Sequence, residues 1–198
     1  MKRSTGIVHA AMVLGLSCVW GCAAWRAGQL SPVSPWPPSP AASKPSISVA
    51  LSGQAIVNGS EQEVNSRFLD IWREQALKAY QDSGLFSSVA AGLGDTDLRA
   101  EVKVLDRGDA NLALAFLSGF TMTMIPSKAT DELIVRTAIK DRGGNTLGTF
   151  EKQEAISTWS QLFRGFAMPG NFPGSVVKQT LYDLNRATIN EARAKKVL

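Results

Sequence analysis

The chain has 198 residues, of which 44% are hydrophobic and 19% charged, and its net charge is +4 at neutral pH. Its two cysteines, Cys18 and Cys22, and its single histidine, His9, all lie within the first 22 residues. The remaining chain therefore lacks the residues for a disulfide, a cysteine–histidine zinc site, or a Ser-His-Asp or Cys-His catalytic mechanism. No cofactor is predicted.

The first 21 residues have the order of a bacterial secretion signal. Lys2 and Arg3 give a positive start, Gly6 to Leu16 is apolar apart from His9, and small residues lead to Val19-Trp20-Gly21-Cys22. A charged, an apolar and a small-residue region in this order are typical of a secretory signal peptide. Without Lys2 and Arg3 the chain is nearly neutral, which argues against a nucleic-acid partner.

The end of this signal resembles the lipobox of bacterial lipoproteins, in which a small residue precedes a lipidated cysteine that becomes the mature N-terminus. Gly21 and Val19 suit the positions one and three residues before Cys22, whereas Trp20 is unusual between them. Cys18 is the rival, but Gly15 fits the corresponding position less well. The resemblance implies lipidation at Cys22 and an N-terminal acyl anchor in membrane lipid.

The residue after the cysteine biases the sorting of lipoproteins in Gram-negative bacteria. Ala23 is not the aspartate associated with retention at the inner membrane, so we expect the outer membrane, with the domain in the periplasm. Two alternatives stay open. Gly6 to Trp25 is uncharged and long enough to span a bilayer as an uncleaved inner-membrane signal anchor. Ordinary cleavage would instead release a soluble exported protein.

The next segment, residues 22–45, is predicted to be a lipid-anchored linker. It contains six prolines mixed with serine and alanine, a composition that favours extended polyproline II. As a spacer it would hold the domain up to roughly 60 Å from its anchor, at about 3.1 Å per residue. A proline-rich ligand for a partner domain is the alternative.

Residues 46–198 are predicted to form a single domain. Ser46 to Val57 alternates as a strand does. Ser60-Glu61-Gln62-Glu63 has the form of a capping box, and apolar residues at spacings of three and four come after it, which predicts a helix over 61–83. Leu85 to Ala91 indicates a short strand, and Leu98 to Asp106 alternates again before Arg107-Gly108-Asp109, which we interpret as a solvated turn.

The second half of the domain begins with a charge-free run, 110–127. Phe120 to Met124 alternates as a strand, whereas Leu112, Leu114, Phe116 and Leu117 fit either a core hairpin or an exposed contact with membrane or a partner.

Two further strands and a helix are predicted after this run. Glu132 to Asp141 and Thr146 to Ser157 flank a glycine turn and predict a hairpin. Ser175 is predicted to cap a last helix, whose apolar stripe includes Leu181 and Leu184. The order β-α-β-β-β-β-β-α predicts an α+β two-layer sandwich, a mostly antiparallel sheet with two helices on one face.

Carboxylate pairs are the only chemistry that the sequence suggests. Asp95 with Asp97, or Asp131 with Glu132, would be paired acids or a weak divalent-ion site if they converged. Both pairs fall at predicted turns, where aspartate commonly caps the backbone. We therefore expect no catalytic residue and no metal site, and keep a carboxylate-dependent hydrolase acting on envelope lipid or peptidoglycan as the alternative.

One stretch resembles a group of uncharacterised proteobacterial lipoproteins. Those proteins carry a Gly-φ-Thr-φ-Thr-φ-Ile-Pro run (φ apolar) like the one within Leu117 to Pro126, then a strand, a glycine turn and a Trp, as at Glu132 to Lys140 and Thr158-Trp159. The order of elements is also loosely similar to small periplasmic modules of envelope assembly, including the soluble domain of the curli-secretion lipoprotein. Neither resemblance transfers a catalytic residue. The anchor, the spacer, the compact α+β domain and the lack of site chemistry together predict a non-enzymatic binding or assembly factor in the envelope, with an envelope protein as partner.

Overall fold

The structure, a computed structural model, describes residues 21–39, 43–110, 127–161 and 171–198. The described residues form seven strands and two helices. In chain order these are β1 (Gly21–Arg26), β2 (Ser46–Val57), β3 (Ser60–Gln62), α1 (Ser66–Asp82), β4 (Ser88–Ala91), β5 (Leu98–Ala110), β6 (Ser127–Asp141), β7 (Thr146–Gln161) and α2 (Pro173–Ala194). Within these ranges, no helix is long and apolar enough to cross a bilayer.

All strands belong to one sheet in the order β1-β7-β6-β5-β2-β3, and β4 also pairs with β2. The β1–β7, β7–β6, β6–β5 and β2–β3 pairs are antiparallel, whereas β2 runs parallel to both β4 and β5. α1 and α2 pack side by side on one face. The predicted α+β class, with a mostly antiparallel sheet and two helices, is confirmed.

The core lies between the sheet and the helices, and strand alternation places it there. Ala100, Val102 and Val104 of β5 are buried on the helix side, as predicted, while their neighbours point to the open side. On α1, Trp72 closes over Gly53 of β2, where a Cβ would lie 2.7 Å from its ring. α2 buries Leu181 and Leu184 against the sheet.

Three local predictions are corrected. Ser60 to Gln62 is a strand rather than a capping box, and α1 begins later, with the Asn65 side chain accepting from the amide of Arg67 at 2.9 Å. Arg107-Gly108-Asp109 is not a turn, because β5 continues to Ala110 in register with β6. α2 begins before Ser175, at Pro173, whose fixed φ suits the first helical position.

The largest correction concerns the predicted spacer. Gly21–Arg26 forms the edge strand β1 and pairs along its whole length with β7. Residues 27–39, which we call the strap, then cross the helix layer, where Leu30 and Trp36 pack against the core. Residues 21–39 are therefore part of the folded domain and are not a free spacer.

Candidate functional site

Cys22, the predicted lipidation site, lies on β1 opposite Ser160 of β7. The next two residues, Ala23 and Ala24, are buried, and the amide of Ala24 donates to the carbonyl of Asn171 at 2.9 Å. The backbone of residue 22 is thus fixed by the sheet. An acyl chain on this residue would join the folded domain directly.

The strap is held by a buried carboxylate. Glu154 of β7 is fully buried and accepts hydrogen bonds from the amides of Gln29, at 3.1 Å, and Leu30, at 2.9 Å. Arg26 lies 3.5 Å from the same carboxylate. Two backbone donors and a guanidinium compensate the loss of water around the charge.

A second carboxylate extends this network onto α2. Asp183 accepts from Arg26 at 2.7 Å and from Arg186 at 2.9 Å. Arg186 also donates to the carbonyl of Val33 at 3.3 Å and stacks over the ring of Trp36, 5.0 Å from its centroid. Two arginines and two carboxylates therefore fasten the strap to the helix layer.

A cavity of about 300 Å³ adjoins this network and is lined by both Glu154 and Asp183. Two acids in a cavity are the arrangement that the hydrolase alternative requires. Here Arg26 contacts both acids and Arg186 contacts Asp183, so both carboxylates are taken up by contacts within the domain. The network acts as a structural clamp.

The first predicted acid pair stabilises the start of β2. Asp97 accepts from the amide of Ser46 at 2.9 Å and from its hydroxyl at 2.7 Å, and these bonds lower the pKa of Asp97. Arg142 contacts Asp97 at 3.3 Å and Asp95 at 3.5 Å. Arg142 therefore forms ion pairs with both acids at the domain surface.

The second predicted pair does not converge, because neighbours on a strand point to opposite faces. Glu132 lies 3.5 Å from Arg107 on the open face. Asp131 instead lies on the helix side near Asp106, an acid that sequence reasoning missed. Burial first, and the nearby Asp131 second, raise the pKa of Asp106 to about 6, and burial also raises that of Asp131.

The signal for Asp106 was present in the alternation of β5. Val102 and Val104 face the core, so the same period places residue 106 on the core side. Its Oδ1 is buried and has no hydrogen-bond partner among the described residues. Across the described ranges, no three histidine, cysteine or acidic residues group as metal ligands. With its pKa raised to about 6, Asp106 can take up a proton in the weakly acidic range.

The open face of the sheet carries a groove of about 450 Å³ over β2, β5 and β6. Small side chains such as Ala50 and Ala138 form its floor, and Leu93 stands exposed at its rim. Charged side chains also line it. These are Glu101, Lys103 and Arg136. Glu101 pairs with Lys140 at 2.7 Å. The groove is suited to binding a partner surface that is polar, or that has both polar and apolar groups.

The predicted contact residues Leu112, Leu114, Phe116 and Leu117 lie outside the described residues, so their role stays a prediction. The described ends of their segment can be placed. Ala110 pairs with Ala129, and Ser127 lies opposite Ser160, the residue that also faces Cys22. The segment therefore leaves and rejoins the sheet at the end that carries Cys22.

Comparisons with known proteins give no family. No family model matches the chain, and no curated protein matches it. Among the solved structures that resemble it, at 9% identity, are a candidate neuraminyllactose-binding hemagglutinin homologue from Helicobacter pylori (TM-score 0.47, 84% of this chain and 90% of that one) and a PelC dodecamer from Paraburkholderia phytofirmans (TM-score 0.32, 70% and 83%). Likenesses of this size are too low to transfer a function.

Proposed function

We propose that this chain is a lipid-anchored envelope protein, a non-enzymatic binding or assembly factor held at the outer membrane with its domain in the periplasm. The observation that carries the proposal is the position of Cys22 in β1. Cleavage before Cys22, where the sequence resembles a lipobox, would remove only Gly21 from the sheet. The cleaved chain would keep its edge strand, its strap and its core.

The electrostatics favour binding over catalysis. Glu154, Asp183 and Asp97 are engaged by arginines or by backbone and hydroxyl donors. The groove on the open face, with its mixture of small, apolar and charged side chains, is the surface that we assign to the partner, an envelope protein.

A carboxylate-dependent hydrolase is the second candidate, and Asp106 is the observation that favours it. A carboxyl group with a pKa of about 6 can donate a proton near neutral pH. If Asp106 were a general acid, Asp106→Asn would abolish hydrolysis of envelope lipid or peptidoglycan while the domain stayed folded. We expect no such activity in the wild type.

The anchor is tested by metabolic labelling with a palmitate analogue. We expect label on the wild type and on Cys18→Ala, and none on Cys22→Ala. Equal labelling of the wild type and Cys22→Ala would contradict lipidation at Cys22. Fractionation of the labelled cells then separates the outer-membrane location from the inner-membrane signal anchor.

The binding surface is tested by photo-crosslinking in cells. A crosslinking residue at Lys103, in the groove, should capture an envelope protein that the same residue at Glu74, exposed on α1, does not. If the two positions capture the same proteins, the groove is not the binding surface.

A further inference from the structure

The strand β2 is unpaired in the middle of its outer edge, the edge that faces away from β5. On this edge β4 pairs with residues 46–49 and β3 pairs with residues 55–57. Between them, residues 50–54 have no strand partner on this edge among the residues that the structure describes. This gap is about 17 Å long, at about 3.3 Å per strand residue.

The backbone groups that face the gap belong to Leu51 and Gly53. Successive residues of a strand turn their N–H and C=O groups to alternate edges. The carbonyl of Val49 accepts from the amide of Gly92 on the outer edge, at 2.8 Å. The same alternation directs the N–H and C=O groups of Leu51 and Gly53 outward, where none of the described strands pairs with them.

A recess of about 540 Å³ lies along the gap and gives access to it. Its lining includes Gly53 and the apolar side chains of Val64 and Leu69, which also pack against the core. The recess shares Ser52 and Lys103 with the groove on the open face. The gap is therefore continuous with the surface that we assign to the partner.

The recess also carries two carboxylates, those of Glu61 and Glu63. Glu61 accepts a hydrogen bond from the side chain of Gln54, at 2.8 Å, which places it on the open face. Within the described ranges, neither acid forms an ion pair. Lys103, the third charged residue of the lining, lies on β5, across β2 from the gap. The charge beside the gap therefore favours a cationic ligand.

We propose that the outer edge of β2 at residues 50–54 binds an extended segment of the envelope-protein partner as an added strand. The inference deepens the proposed function and rests on it. An exposed strand edge is a template for another chain, whose main-chain hydrogen bonds supply affinity and whose alternate side chains supply specificity. Apolar side chains of the segment would face Leu69 on the helix side, and basic side chains would face Glu61 on the open side.

The test uses a capped five-residue peptide of alternating valine and lysine, added to the full chain in detergent micelles. Hydrogen exchange is followed at single amides by mass spectrometry. We expect the peptide at saturation to slow exchange of the Leu51 and Gly53 amides by at least about tenfold. The amide of Ser52 faces β5 and is the internal control, which should not change. No slowing at Leu51 and Gly53 would overturn the inference.

Two further peptides test whether the contact is made by the backbone. One carries N-methyl groups on its valines and the other on its lysines, so that each lacks the N–H donors of one edge. One of the two should bind at least about tenfold more weakly, because it loses backbone hydrogen bonds to β2. Loss with methylated valines would indicate an antiparallel added strand, and loss with methylated lysines a parallel one. Equal slowing by all three peptides would overturn strand addition.

A charge reversal tests the preference for basic residues. Glu63→Lys should weaken binding of the unmodified peptide by about two- to fivefold, whereas Glu74→Lys, exposed on α1, should not change it. Equal effects of the two variants would contradict the basic character of the segment.

The outcome is separable from that of the proposed function. Capture of an envelope protein at Lys103 without slowed exchange at Leu51 and Gly53 would overturn strand addition alone. Slowed exchange without any capture at Lys103 would contradict the envelope-protein partner and would leave the strand-binding edge in place.

Discussion

The carboxylate of Glu154 accepts a hydrogen bond from the backbone amide of Leu30, 124 residues earlier in the chain, at 2.9 Å. This contact joins the strap to β7, the strand next to the edge strand β1. It makes a proline-rich segment, which by composition would be an extended spacer, part of the folded domain.

Removing the carboxylate tests the attachment. Glu154→Ala leaves the amides of Gln29 and Leu30 without their acceptor and leaves Arg26 without one of its two carboxylates. We expect a loss of about 2–4 kcal/mol in the free energy of unfolding, measured by urea denaturation. Glu151→Ala is the control on the same strand, because Glu151 pairs with Arg136 on the exposed face and should cost less than about 1 kcal/mol. Equal losses would show that the strap does not depend on Glu154.

The close approach of α1 to β2 depends on a glycine. A Cβ at Gly53 would lie 2.5 Å from the Leu69 side chain and 2.7 Å from the ring of Trp72, so Gly53→Ala must displace these side chains or the helix that carries them. We expect a cost of about 1–3 kcal/mol in the free energy of unfolding. At Gly94 the nearest atom would be 3.6 Å away, so Gly94→Ala is the control and should be nearly neutral. A neutral Gly53→Ala would mean that the helix packs less closely than the structure shows.

Periodicity alone is sufficient to predict most of the regular elements. Alternation identified Ser46–Val57 with its observed bounds and most of β5, β6 and β7, and the stripe of apolar residues identified both helices. The sheet order and the parallel pairing of β2 with β5 depend on contacts between distant segments, which local patterns do not encode.

The errors have physical causes as well. A serine with glutamates after it forms a capping box only if a helix begins there. Here Ser60 to Gln62 pair with β2 instead, so the helix begins later. β1 was hidden because Gly21–Arg26 is short and comes after an apolar signal. The strap was missed because proline-rich chain is extended whether it crosses solvent or a protein surface. The contact between Arg26 and Glu154, which are far apart in sequence, helps to hold this segment on the protein surface.

Asp106 makes the stability of the domain depend on pH. Its pKa is raised to about 6 in the folded protein, above the value of about 3.9 of an unfolded aspartate, so the native state binds the extra proton between these values. Stability attributable to Asp106 is therefore greatest below about pH 4 and falls as the pH rises to about 6. We expect Asp106→Asn to raise the free energy of unfolding at pH 7 by about 1–3 kcal/mol and to flatten this slope.

Asp109→Asn, an exposed acid on the same strand, is the control for Asp106→Asn. Urea denaturation at a series of pH values from 4 to 7 measures both variants, and the control should keep the slope of the wild type. If the stability of Asp106→Asn depends on pH in the same way as that of the wild type, the assignment to Asp106 is contradicted.

The charge-free segment between β5 and β6 is tested by placing aspartate at positions in its two halves. If Leu112 to Leu117 is an exposed contact, Leu114→Asp and Phe116→Asp should keep the melting temperature of the wild type and weaken association with membrane or partner. Met122→Asp or Met124→Asp should lower the melting temperature wherever the substituted side chain faces the core, because an unpaired buried charge costs several kcal/mol. Thermal melts of the full chain decide between the two interpretations. A large loss of melting temperature for both Leu114→Asp and Phe116→Asp would assign these residues to the core and would remove them from the membrane contact.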